Sequence, residues 1–225
     1  VRLTSDSPTA RPLRRDAAEH REQLLAAALK VFDAHGLDAS VTEIARVAGV
    51  GVGTLYRNFP TKEALIDALV HQVLDATITM AREATALPDG SGLEHFLEAS
   101  ASYQAKHVGC LPRLWDTDLE AVTTARALIA LLLTDAKKHH RIRKDLTPTD
   151  VSIVLFALRG IIETTQERAP DAWRRHLDIL IAGMRPAEQD LAHRALTPSQ
   201  LNAIVAGSKR PLDGVTRPRN GVRGA

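Results

Sequence analysis

Residues 40–65 read SVTEIARVAGVGVGTLYRNFPTKEAL. Two short apolar-periodic runs flank the segment AGVG at 48–51. Ser40 and Glu43 stand in S-x-x-E spacing, the pattern of a capping box that satisfies the free amides at a helix start. Ile44, Ala45 and Ala48 then fall on one inward side, and Gly49 ends the helix. The next helix spans about 52–58 and closes at Phe59-Pro60, because proline cannot extend it. Upstream, Leu24, Leu25, Ala28, Val31 and Phe32 mark one face of a longer helix that Gly36 stops. Downstream, Thr61 caps a fourth helix with a stripe of Leu65, Ile66, Leu69, Val70, Val73, Leu74 and Ile78.

Two short helices joined by a glycine turn are a helix-turn-helix, whose second helix enters the DNA major groove. Gly49 permits a left-handed turn. Gly51 and Gly53 let the second helix approach phosphates or base edges with no side chain in the way. Thr54 offers a hydroxyl to a base edge or phosphate and a methyl to thymine, and Val52 offers an apolar contact to a thymine methyl. Tyr56 and Asn58 are neutral donors for phosphate oxygens. Lys62 adds charge to the free amides that open the fourth helix. Thr42 reaches the flanking backbone, and Arg57 points toward the flank. Leu55, Phe59, Ile44 and Leu65 are core residues in this reading; Tyr56 is either a phosphate donor or a buried core tyrosine.

Preceded by LLAAALKVFDAHG at 24–36, the stretch resembles the DNA-binding domain of the TetR family of transcriptional regulators over about residues 17–75. The resemblance implies a homodimer of all-α subunits, each with a three-helix N-terminal domain and a C-terminal domain that binds a small ligand. It places DNA contacts at Thr42, Gly51, Val52, Gly53, Thr54, Tyr56, Asn58 and Lys62. Gly51 stands where a serine is frequent in the family, and Asn58 where a histidine or tyrosine is frequent. It further implies a regulator, most often a repressor and alternatively an activator, that binds a palindromic operator and is released by a small-molecule effector.

The rest of the chain reads as helices throughout, so the fold class is all-α: a three-helix DNA-binding domain followed by a larger α-helical ligand-binding and dimerisation domain. The expected division is a disordered basic arm at 1–15, the DNA-binding domain at 16–75 with its motif at about 41–60, the helical domain at 76–207 and a disordered basic tail at 208–225. The arm is either a solvated start or a segment that follows the DNA backbone or enters the minor groove. Two late helices, with Val151, Leu155, Leu158 and Ile162 on one and Trp173, Leu177 and Ile181 on the other, are the dimer candidates. Two such helices per subunit make a four-helix bundle, with Gly160 allowing close approach; alternatively both stripes face their own core. Phe96, Tyr103, His107, Cys110, Trp115, Phe156 and Arg159 are the uncommon aromatic and polar residues among the middle helices. All but Cys110 are the ligand-pocket candidates. Arg159 either meets an anionic ligand or pairs with Glu163 at i+4.

The 225 residues are 44% hydrophobic and 25% charged with a formal charge of +2, the composition of a folded chain rather than a strongly basic one. There is one cysteine, Cys110, so no internal disulfide is possible, and the expected location is the cytoplasm. No secretory signal and no apolar run of membrane-spanning length is read. Nine histidines invite a metal, yet His139 and His140 are adjacent and point to different helix faces, and no ligand spacing appears. No nucleotide loop, nucleophile elbow or catalytic triad is found. The expected partners are double-stranded DNA, a second copy of the chain and a small-molecule effector, with no cofactor, metal, membrane or enzymatic activity. An architectural DNA-binding protein without sequence preference is the competing reading.

Overall fold

The computed structural model describes residues 10–108 and 119–207. Among the described residues there are nine helices and no strand: α1 Ala10–His35, α2 Val41–Val47, α3 Val52–Asn58, α4 Lys62–Thr85, α5 Gly92–Lys106, α6 Leu119–Lys138, α7 Pro148–Thr165, α8 Ala172–Met184 and α9 Pro198–Gly207. The all-α expectation holds. One boundary differs: α1 begins at Ala10, so residues 10–15 are helical rather than part of a disordered arm. Nothing between Ala10 and Asp16 breaks a helix except Pro12, and proline is tolerated in a helix's first turn, where its missing N–H has no partner to lose. Residues 1–9 and the tail at 208–225 lie outside the described residues, as do Cys110 and Trp115.

Two cores divide the chain. The first gathers Leu24, Ala28, Val31 and Phe32 of α1, Ile44 and Ala45 of α2, Leu55 and Phe59 of α3, and Leu65 to Leu74 of α4. Phe32, Ile44, Leu55 and Leu65 are fully covered, as the periodicity requires. The second gathers Ala81 and Ala84 at the far end of α4 with residues of α5 to α8. By length and composition α4 is apolar enough to cross a bilayer, but its apolar side is spent on these two cores. One rigid helix therefore belongs to both units.

The α4–α5 corner depends on a glycine. A β-carbon at Gly92 would stand 2.4 Å from the Ala84 carbonyl oxygen and 2.9 Å from Leu132 Cδ2. No side chain fits there without moving the α4 backbone.

The dimer expectation needs correction. Val151, Leu155, Leu158, Ile162, Trp173 and Leu177 are all buried within their own chain, in the second core. Ile181 is half-buried against the same core. These stripes are apolar because they close the subunit. The sides of the two helices that face outward carry Ile153, Ala157 and Gly160 on α7, and Ile179 and Gly183 on α8.

After α8 the chain is tied back across the domain. Arg143 Nη2 donates to the Gln189 carbonyl at 2.6 Å. The Leu191 amide donates to Asp145 Oδ2 at 2.7 Å. Thr149 Oγ1 donates to the Leu196 carbonyl at 2.7 Å. The Arg143 guanidinium and the Leu191 amide hold the Asp145 carboxyl down at about 2. These ties set α9 against α6, where Leu201 is buried and Asn202 meets Arg126.

Candidate functional site

The turn between α2 and α3 is made by local chemistry. Ser40 caps α2, its Oγ accepting from the Glu43 amide at 3.2 Å. The capping box is only half formed. Instead of returning to the Ser40 amide, the Glu43 carboxylate lies 3.5 Å from His35 Nε2 and 3.9 Å from Arg46. At the other end the Val50 amide donates to the Ala45 carbonyl at 3.0 Å and the Gly49 amide to Arg46 at 3.2 Å. This is the Schellman closure, and it puts Gly49 at φ +70°. Any other L-residue would be strained there, although no atom crowds the position.

α3 is anchored to the body by Leu55 and Phe59, both buried. Its opposite side is open. Gly51, Gly53, Tyr56 and Arg57 are exposed, while Val52, Thr54 and Asn58 are half-buried. Tyr56 is 44% exposed, which removes the core reading of that side chain. Asn58 Nδ2 donates to the Thr54 carbonyl at 2.9 Å, so one of its donors is engaged within the helix. Val52 packs against the first core, leaving only part of it for an outside contact. Thr42 is exposed at the start of α2. Lys62 opens α4 beside its cap, where Thr61 Oγ1 accepts from the Ala64 amide at 3.0 Å. The Lys62 ammonium sits 6.0 Å from the Phe32 ring centroid, so its stem runs over the core while its charge stays half-exposed.

Gly51 and Gly53 have neither a positive φ nor any atom near a built β-carbon. Nothing among the described residues requires glycine at either place. The space that the absent side chains leave lies outside the molecule, on the open side of α3. Sequence reading missed one neighbour of this surface. Arg21 of α1 lies with its guanidinium carbon 5.0 Å from the Phe59 ring centroid, at the C-terminal edge of α3. Its placement is tertiary, and no spacing in the sequence announces it.

A model of bacterial regulatory proteins of the TetR family matches residues 24–69, and a model of the C-terminal domain of SbtR-like transcriptional regulators matches 88–186. A TetR transcription regulatory protein from Mycobacterium vanbaalenii superposes with a TM-score of 0.58 at 30% identity, over 77% of this chain and 99% of that one. The chain belongs to the TetR family of transcriptional regulators. A TetR transcriptional regulator from Streptomyces coelicolor is similar at 33% identity and a TM-score of 0.57, covering 74% of this TetR-family chain and 99% of its own. An HTH-type transcriptional regulator of Staphylococcus aureus (strain USA300) is 40% identical over 68 residues. That match takes in 30% of this chain and 37% of the length of the curated relative.

The second candidate site of this TetR-family chain is a small, partly open cavity of about 60 Å³ at the junction of α4, α5, α6, α7 and α9. Of the six pocket candidates, Tyr103 and Phe156 line it. Phe96 is fully buried in the second core instead. Arg159 donates to Glu163 Oε1 at 2.7 Å along α7, the i+4 alternative. His107 stands outside the cavity wall, with its ring centroid 4.5 Å from that of Tyr103 and its Nδ1 3.3 Å from Asp33 Oδ2 of α1. Trp115 is outside the described residues. The wall residues that sequence reading passed over are ordinary ones, among them Val73, Leu74, Ser100, Gln104, Arg126 and Leu201.

Cavity and DNA-binding unit share parts. Val73 and Leu74 line the cavity and belong to the first core. Tyr103 lines the cavity and packs against that same core. Through His107 it reaches Asp33 near the end of α1, just before the helix-turn-helix.

Proposed function

We propose that the chain is a repressor, acting in the cytoplasm, that binds a palindromic operator as a homodimer and is released when a small molecule enters the cavity. The observation that carries this reading is the open side of α3, with room at Gly51 and Gly53 that no described residue fills. In it Thr54 reads a base edge, Tyr56 and Asn58 hold phosphate oxygens, and Lys62 with Thr42 fixes the flanking backbone. Asn58 does so with the capacity its bond to Thr54 leaves over. Arg21 is added as a further cation beside phosphate.

The division of labour has a direct test. Thr54→Ala is expected to weaken operator binding by about 1–3 kcal/mol per half-site and to relax base choice there. Lys62→Ala is expected to weaken binding to all sequences alike and to lower the salt slope by about one per half-site. Anisotropy titrations of operator and random duplexes over a salt series distinguish the two. Equal operator binding by both variants and the native chain would remove α3 and the start of α4 from the DNA surface.

The homodimer reading rests on the outward sides of α7 and α8. Ile179 is 56% exposed, and Gly160 and Gly183 leave these helices bare enough for close approach. Two copies would place their α3 helices for successive major grooves, about 34–36 Å apart or a multiple.

Release follows from the shared parts. A molecule that enlarges the cavity moves Tyr103 and α4, and both belong to the packing of the DNA-binding unit. Effector and operator then compete through two conformers of one dimer, with a coupling of about 1–3 kcal/mol. His107→Ala removes the bond to Asp33 but no wall of the cavity. Operator affinity without effector should persist, while the affinity ratio without and with effector falls toward one. Anisotropy at fixed salt, with and without effector, measures that ratio; an unchanged ratio would exclude His107 from the coupling.

A further inference from the structure

The cavity wall holds one cation, half-buried Arg126, that no carboxylate answers among the described residues. Arg126 of α6 lines the cavity, and its Nη1 donates to Asn202 Oδ1 of α9 at 2.6 Å. Asn202 is neutral. Elsewhere in this unit Arg141, Arg143, Arg159, Arg174 and Arg185 each stand within ion-pair distance of an aspartate or glutamate. Among the described residues no such partner reaches Arg126. A second unmet polar group lies on the same wall. Ser100 of α5 is 3% exposed, and its Oγ has no hydrogen-bond partner. The rest of the wall is mostly apolar, with Val73, Leu74, Ile129, Leu155 and Phe156, and carries Thr77, Tyr103, Gln104 and Ser152 as further polar residues.

We propose that the effector is a small carboxylic acid with an apolar body, whose carboxylate replaces Asn202 as the partner of Arg126. This rests on the cavity being the effector site. A guanidinium bonds a carboxylate through two charge-assisted hydrogen bonds, and the exchange favours the carboxylate over a single neutral amide oxygen. The apolar body takes the aliphatic wall, and Ser100 gains a partner if the ligand carries a further oxygen. The same exchange opens the site. At about 60 Å³ the cavity is far smaller than the roughly 300–1,000 Å³ of ligand pockets, so something must move. Leu201, buried on the cavity wall, is the sequence neighbour of Asn202. Breaking the Arg126–Asn202 bond lets α9 shift at Leu201, while the Thr149–Leu196 bond still holds the chain just before it. The acid is thus both ligand and key.

Titration calorimetry of the full chain with octanoate, 1-octanol and octylamine tests the charge requirement with one chain length. Octanoate should bind at least about tenfold more tightly than octanol, and octylamine more weakly than either. Arg126→Gln should remove the preference, leaving octanoate and octanol equal. Asn202→Ala should strengthen octanoate binding, because the competitor for Arg126 is gone. Ala125→Phe, which fills the cavity from a half-buried position, should abolish binding of both. Octanol binding as tightly as octanoate, with Ala125→Phe still blocking both, would overturn the carboxylate and leave the cavity as the effector site. Octanoate binding that neither Arg126→Gln nor a folded Ala125→Phe alters would overturn the cavity reading as well. No binding by any of the three overturns the proposed class.

Discussion

Ile179→Asp is expected to convert the protein to a monomer and to lower operator affinity by about 10²–10⁴-fold, the gain that linking two half-site contacts supplies. Ile179 projects from α8 and is 56% exposed in the single chain, so the subunit itself loses nothing by the change. In the dimer the aspartate would be an unpaired charge taken out of water, at a cost of several kcal/mol per ion. In the proposed two-fold interface both copies carry the aspartate, so the penalty counts twice. Sedimentation gives the mass, circular dichroism the intact fold, and anisotropy the operator affinity. A variant that remains dimeric and binds normally would move the interface away from the outward sides of α7 and α8.

Trp173→Ala should destabilise the subunit by about 3–5 kcal/mol, against a total of about 5–15 for a folded domain. Trp173 is 2% exposed, among the largest fully covered side chains, and the Arg174 guanidinium lies 4.5 Å over its ring. Removing it leaves a cavity among α5, α7 and α8 that rigid helices cannot close. Dimerisation would blur the result, since the stability of a dimer depends on concentration. The comparison is therefore made in the monomeric Ile179→Asp background by urea unfolding. A large fall in midpoint there confirms Trp173 as a subunit core residue. A midpoint that does not move would return it to the interface that its apolar stripe first indicated.

That contrast shows where sequence stops being informative. The stripes on α7 and α8 state that one face is buried, but not against what. The second core covers Val151, Leu158 and Trp173, and the proposed dimer face falls to the smaller, less regular set of Ile153, Gly160, Ile179 and Gly183. The helix-turn-helix was legible because its determinants are local. Ser40 and Thr61 cap their own helices, Gly49 takes the left-handed turn, and Leu55 and Phe59 recur at helical spacing. The capping box was legible only in part, because Glu43 is drawn to His35 of the preceding helix. The proposed effector cavity was mostly hidden. Its wall takes Val73, Ser100, Arg126, Ser152 and Leu201 from five different helices, none of them unusual in its own segment. Picking out rare aromatics found Tyr103 and Phe156 there, but drew in Phe96, whose whole surface is needed for packing. Arg126 stands out only when its neighbours in space, among the described residues, show no carboxylate beside its charge.

Sequence-specific operator binding through α3 is the claim on which the rest depends, and selection from a randomised duplex pool tests it most directly. The purified full chain is taken through repeated rounds at one fixed salt concentration, beside Thr54→Ala. The native protein should enrich a two-fold symmetric sequence with half-sites spaced by whole helical turns, and Thr54→Ala should lose preference at one position in each half-site. A pool that stays random while the protein still binds it would contradict the account, leaving a DNA-binding protein that reads no sequence.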